Sequence, residues 1–343
     1  MKVTASLPTG VAALLFDGAR RRRRLEEEMV ARLESNGFAE VILPVVDYLD
    51  PYVAMLSAHS RSELYRFVDR SGEVLALRAD FTPMLARLLA PRLASLELPL
   101  RLFYRGDVLR YQEERAGRQR ELYQLGAEVL GLPGEEAEEV AIDTCLGLLA
   151  AGERRRLVVV LGFAGALDRL ILDCSDDFDP HELVDAVGRR ERRHARRAGA
   201  ALLDVVERGV PDDPSALGAA AAARLERLEA LRGRLASRHP SVDLRIDLAE
   251  FADQVTDPAL AERLGARAYY DGLVFRAFAG AAAEPVGNGG RYDRLFHSLG
   301  AELTAAGFSV SLDRLIARDE LESVDEGGVG DGRDGPAAPE DAR

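Results

Sequence analysis

Leu25, Met29 and Leu33 recur at four-residue spacing, and this period predicts a helix over Asp17–Glu34 with one face turned to a core. On its other face Arg20 to Arg24 are followed by Glu26, Glu27 and Glu28, a pattern that reads as i,i+4 ion pairs on a solvated surface. Gly37 ends the helix, and Glu40–Val46 is a short apolar strand interrupted by Pro44. Tyr65–Asp69 and Val74–Arg78, separated by Arg70-Ser71-Gly72-Glu73, predict a hairpin. Asp80 or Thr82 caps a following helix through Leu89, with Pro83 at an early helical position.

Leu100–Tyr111 and Glu121–Leu130 read as paired antiparallel strands joined by the charged loop Gln112–Arg120. Glu135–Ala150 is an amphipathic helix and Leu157–Phe163 a buried strand. Between about 180 and 265 the character changes: Ala, Arg, Leu and Glu dominate, as in Ala219–Leu235, and the segment reads as a mostly helical insertion. Strand character returns at Ala268–Phe275, which carries Tyr269 and Tyr270. Gly287–Asp293 reads as a turn into a helix, and Ala306–Ser311 as a last strand running into a helix near Asp313. From 319 to 343, nine acids face two arginines among Gly and Pro, the composition of a disordered acidic tail. The expected domain plan is therefore one α+β core over 1–318, including the helical insertion, followed by that tail.

Composition narrows the function classes. A chain of 343 residues with 47% hydrophobic and 30% charged content can bury a sizeable core. No apolar run approaches the ~20 residues of a membrane span, and residues 1–10 lack the features of a secretory signal. Cys145 and Cys174 stand alone and far apart, which fits a reducing compartment, so a cytoplasmic protein is expected. The five histidines show no metal-ligand spacing, and neither a metal nor a cofactor is expected. A net charge of −13 argues against a general nucleic-acid surface.

The candidate chemistry lies at strand ends. Asp80 and Glu128 are carboxylates, and Thr82 and Gln124 are neutral hydrogen-bonders. Gln124, Gly126 and Glu128 are two apart and so share one face of a strand. An α-ammonium group needs carboxylate and neutral acceptors, and an imidazole needs groups that both donate and accept. Such a set suits a zwitterionic amino acid with a polar ring. Arg105 and Asp107 read as an ion pair at a strand end or dimer interface, and Arg291 and Asp293 as a local turn-stabilising pair.

Order and spacing add a family. Leu77-Arg78-Ala79-Asp80-Phe81-Thr82-Pro83, Leu109–Arg115, Gly117–Gln124, Tyr269-Tyr270, Gly289–Asp293 and Gly307–Arg314 resemble, in that order, the motifs of class II aminoacyl-tRNA synthetases of the histidyl kind. The resemblance covers roughly 5 to 318 and implies a class II synthetase-like core, a mostly antiparallel sheet of about six strands flanked by helices. It implies a histidine pocket built from Asp80, Thr82, Gln124 and Glu128, with Arg110 at the carboxylate side and Tyr269 and Tyr270 as walls. It also implies a homodimer formed near Val41–Asp47.

Three departures point away from a working synthetase. Where histidyl synthetases carry an Arg that assists adenylate formation, this chain has Gly265, with Arg267 two residues on. Losing such electrostatic assistance costs several kcal/mol of barrier. Ser311 replaces the third-motif glycine that lets adenine approach, although Arg314 is kept, and the segment after Arg318 is too short and polar for an anticodon-binding domain. A kept pocket with altered catalytic parts, and Leu-Arg-x-Asp-Phe-Thr-Pro at 77–83, resemble the paralogous family of ATP phosphoribosyltransferase regulatory subunits. That resemblance implies a non-catalytic chain without tRNA, assembled as a homodimer within a hetero-oligomer with the short-form ATP phosphoribosyltransferase catalytic subunit. It implies free histidine as the feedback effector. The alternative is a truncated synthetase paralogue that still makes an aminoacyl adenylate, with Arg110, Arg118 and Arg314 as the cations for its phosphates.

Overall fold

In the computed structural model, which describes residues 7–54, 56, 61–111, 119–150, 156–174, 176–265, 269–280 and 284–316, the architecture grows outward from one long hairpin. Strands β5 (Leu100–Leu109) and β6 (Glu121–Leu130) pair antiparallel along their full lengths, from Leu100 opposite Leu130 to Leu109 opposite Glu121. The remaining strands of the main sheet are β1 (Ala39–Glu40), β7 (Leu157–Phe163), β8 (Val242–Ile246), β9 (Leu273–Ala279), β10 (Gly287–Arg291) and β11 (Ala305–Ser311), while β2 (Val46–Tyr48), β3 (Arg66–Val68) and β4 (Val74–Leu77) form a small antiparallel sheet. The main sheet has eight strands in the order β1-β5-β6-β11-β10-β9-β7-β8, parallel only at β1–β5 and β7–β8. The mostly antiparallel expectation stands, and the sheet is two strands wider than expected.

One face of β6 is apolar. Leu125, Ala127 and Val129 pack against the helix Gly134–Leu149, whose Ala137, Ala141, Ile142 and Cys145 are all buried. Glu135 and Glu136 in its first turn suit the positive end of the helix dipole. The other face of β6 carries Gln124, Gly126 and Glu128, as the alternation requires. The first helix, Phe16–Ser35, buries Met29 and Leu33 as its period predicts.

Four local expectations are corrected. Glu26 is not on a solvated face: it is buried and accepts from Arg105 Nη1 (2.9 Å), the Tyr123 hydroxyl (2.6 Å) and Arg23 Nη1 (2.8 Å). Arg105 therefore pairs with Glu26 and with Glu40 (2.8 Å), not with Asp107. The glycine-rich 287–291 segment is a strand, because β9 and β11 close on it from both sides; a side chain at Gly290 would stand 2.3 Å from the Leu273 carbonyl. Tyr269 and Tyr270 precede β9 as irregular chain, which frees both rings from the strand's alternation.

Between Pro180 and Arg263 most of the chain is helical, and the long helix Ala219–Arg238 buries Leu225, Leu228, Leu231 and Leu235 along one stripe. The same stretch also returns β8 to the main sheet, parallel to β7. Loop 112–118, Arg267 and the stretch from 317 onward, including the acidic tail, lie outside the described residues. Among the described residues no helix is long and apolar enough to cross a membrane.

Candidate functional site

Arg78, at the end of β4, is buried and donates to the carbonyls of Leu43 (2.8 Å), Pro44 (3.0 Å) and Asp107 (2.8 and 3.1 Å). Its guanidinium lies over the Phe81 ring, which in turn stacks on Tyr104 at 4.3 Å. This column fixes the turn that follows. The buried Tyr52 hydroxyl holds the same turn from below, accepting from the Asp80 amide (2.6 Å) and the Ala79 amide (3.1 Å) and donating to the Asp80 carbonyl (2.9 Å). Asp80 Oδ1 accepts from the Thr82 amide at 3.0 Å, which ties the turn to the first residue of the helix Thr82–Leu89.

The turn delivers Asp80 and Thr82 to the polar face of β6. There Glu128 is buried, with three hydroxyls donating to its carboxylate: Thr82 Oγ1 at 2.7 Å and Tyr104 at 2.9 Å to Oε1, and Tyr292 to Oε2. Gly307 stands opposite Glu128 in the β6–β11 register, and a Cβ there would lie 1.6 Å from Glu128 Oε2. The carboxylate occupies the space a side chain would fill.

Asp80, Thr82, Arg110, Gln124, Glu128, Tyr269 and Tyr270, all seven residues expected at the pocket, line one cavity of about 410 Å3 of atom-free space. Tyr104, Asn288, Tyr292, Gly307 and Ser309 line it too, and sequence reasoning did not assign them. Gly307 and Tyr292 lie inside motifs already quoted, whereas Tyr104 carries no signal beyond a tyrosine in a strand. Tyr269 and Tyr270 meet edge to face at 4.8 Å, and Tyr269 lies 5.8 Å from the Tyr292 ring. The Gln124 side chain is 7% exposed and has no hydrogen-bond partner among the described residues, so its amide is available to a ligand.

The electrostatics favour a cation. Burial pushes Glu128 from 4.5 up to about 7, against the three hydroxyls that draw it down. Burial also raises Asp80, opposed by the Arg110 guanidinium, whose Nε is held by the Ala79 carbonyl at 2.9 Å. The buried Glu128 and the half-buried Asp80, with Arg110 beside Asp80 alone, leave a place for an ammonium group. The hydroxyls and the Gln124 amide supply both donors and acceptors, as a polar ring requires.

The catalytic departures look different. Gly265 follows the helix Pro258–Arg263 in the left-handed region (φ +55°), with nothing within 4 Å of where its side chain would start. Arg314 keeps its charge but donates to the Pro285 carbonyl (2.8 Å) and pairs with Glu284 (3.2 Å). Arg118 lies outside the described residues. Arg291 and Asp293 form the expected local pair (2.8 and 2.5 Å), away from the pocket. Among the described residues no His, Cys, Asp and Glu cluster could hold a metal.

Comparison with known proteins gives the chain a family and a fold. Residues 10–315 match the histidyl-tRNA synthetase family. An ATP phosphoribosyltransferase regulatory subunit from Symbiobacterium thermophilum is 34% identical over 93% of this chain and 81% of its own length. The crystal structure of an ATP phosphoribosyltransferase regulatory subunit/histidyl-tRNA synthetase from Bacillus halodurans superposes with a TM-score of 0.76 at 21% identity, covering 95% of this chain and 90% of that one. A chain of the ATP phosphoribosyl transferase (HisG:HisZ) complex from Thermotoga maritima superposes with a TM-score of 0.61 at 17% identity, covering 85% and 97%.

Proposed function

This chain belongs to the ATP phosphoribosyltransferase regulatory subunits, on a histidyl-tRNA synthetase core, and from that premise we propose how it regulates. Free histidine binds in the Glu128 cavity, and its binding is transmitted to a short-form ATP phosphoribosyltransferase catalytic subunit at the first step of histidine biosynthesis. The carrying observation is the buried Glu128 carboxylate, held by three hydroxyls beside Asp80 and the uncommitted Gln124 amide. Histidine's ammonium group goes to Asp80 and Glu128, its carboxylate to Arg110, and its ring lies against Tyr269 and Tyr270. Inhibition then equals the difference in histidine affinity between the active and inhibited assemblies, and the catalytic partner feels no other effect of the ligand.

The chain performs no chemistry of its own. Gly265 supplies no cation, and Arg314 is held by Glu284 and the Pro285 carbonyl. Arg110 in the cavity favours the second reading, in which the chain still forms histidyl adenylate without tRNA. Histidine-dependent exchange of pyrophosphate into ATP by the purified chain separates the two. A homodimer forms through the strip around Ile42, which is 90% exposed and continues into the exposed Val45, Val46 and Tyr48. The test of the whole reading is reconstitution with a short-form ATP phosphoribosyltransferase. Phosphoribosyl transfer should depend on this chain and fall when histidine is added, and Gln124→Ala should remove the histidine response while assembly persists. Unchanged inhibition in that variant contradicts the assignment.

A further inference from the structure

A second cavity, of about 680 Å3 of atom-free space, lies on the face of the main sheet that the helix Gly134–Leu149 covers. One stretch of backbone separates it from the histidine cavity: Tyr269 and Tyr270 wall the front, and Asp271, Gly272 and Leu273 wall the rear. Its floor is apolar, made of Phe163, Leu228 and Leu231. Above the floor stand arginines from the helix Ala219–Arg238 and acids from its neighbours.

The existing partners of these charges show what a ligand would find. Glu138 is already engaged: its Oε1 accepts from the Leu273 amide at 2.9 Å and faces Arg291 at 3.8 Å. Both Asp271 oxygens accept backbone amides, from Asp293 (3.1 Å) and Arg294 (2.8 Å). Arg291 is held by Asp293. The acids of the wall therefore have their donors. Arg224 has, among the described residues, one long contact, 3.5 Å to the Ala164 carbonyl, for a group with five N–H donors. Arg227 pairs with Glu135 at 3.1 Å, but both side chains are more than half exposed, so that pair is weak and easily exchanged. The unspent capacity is cationic, and it sits over an apolar floor in a cavity that opens to solvent.

We infer that this rear cavity is a second ligand site, for a small molecule bearing an anionic oxygen group on an apolar body. Arg224 and Arg227 take the oxygens, a planar fork meeting a phosphate or a carboxylate, and Phe163, Leu228 and Leu231 take the apolar part. The site stands independently of the histidine reading, since none of its residues lines the front cavity.

Calorimetric titration of the full chain with phenyl phosphate, phenylacetate and inorganic phosphate tests this. At least one aryl anion should bind tenfold or more tightly than inorganic phosphate, and which one does so distinguishes a phosphate ester from a carboxylate. Arg224→Gln changes an exposed side chain, and an unchanged melting temperature verifies its fold; it should weaken the aryl anion tenfold or more. Arg232→Gln, on the same helix but outside the cavity, should leave binding within twofold. Failure of both aryl anions to bind overturns the inference. So does inorganic phosphate binding as tightly as either, or an equal loss in Arg232→Gln.

Discussion

Glu128→Gln separates what the carboxylate contributes to binding from what it costs the fold. In the folded chain Glu128 titrates near 7, against an ordinary value of 4.5, because burial disfavours its charge. Between those values the folded state holds a proton that the unfolded state has lost, so stability falls as pH rises. The penalty is absent below about 4.5 and fully present above about 7. That interval corresponds to about 3 kcal/mol. Glutamine carries no titrating charge and offers one acceptor oxygen where three hydroxyls now donate, a loss of about 1 kcal/mol at low pH. The variant should therefore be less stable than the parent at pH 5 and more stable at pH 8. Urea unfolding at intervals across that range measures the crossing. Asp80, also raised by burial, leaves a residual slope in both proteins. Stability curves that run parallel would refute the reasoning.

Gly307→Ala should displace the Glu128 carboxylate, since the new Cβ would stand 1.6 Å from its oxygen; calorimetry should show histidine affinity at least tenfold weaker. Arg78→Met removes the bonds to the carbonyls of Leu43, Pro44 and Asp107 that tie the small sheet to β5, and should lower unfolding free energy by about 3 kcal/mol in denaturant titration. Ile42→Asp places a charge on the exposed apolar strip; if the proposed dimer forms there, sedimentation equilibrium should show the parent as a dimer and the variant as a monomer, with little change in the monomer's own fold.

Most of this site was legible in the sequence because its residues fall in ordered motifs whose spacing the fold preserves. Asp80 and Thr82 flank one turn, and Gln124 and Glu128 share a strand face, so local geometry alone brings each pair together. The partners of Glu128 were not legible in that way. Tyr104 reaches it through the β5–β6 pairing and Gly307 through the β6–β11 pairing, and neither register is written in a local pattern. The 287–291 strand was misread for a related reason. Glycine disfavours strands locally, and only the close backbones of β9 and β11 make its missing side chain a requirement. Glu26 was read as solvated because it falls between the run Arg20 to Arg24 and the pair Glu27 and Glu28, where i,i+4 pairing is the local expectation; its burial depends on Tyr123 and Arg105, which the sheet brings over the first helix.

Histidine titration into the isolated chain, followed calorimetrically at pH 8 for the parent and for Glu128→Ala, bears most directly on the cavity's role. One histidine per chain should bind to the parent, and the heat should vanish in a variant that still folds. Equal binding by both proteins, or no binding by the parent, would contradict the account.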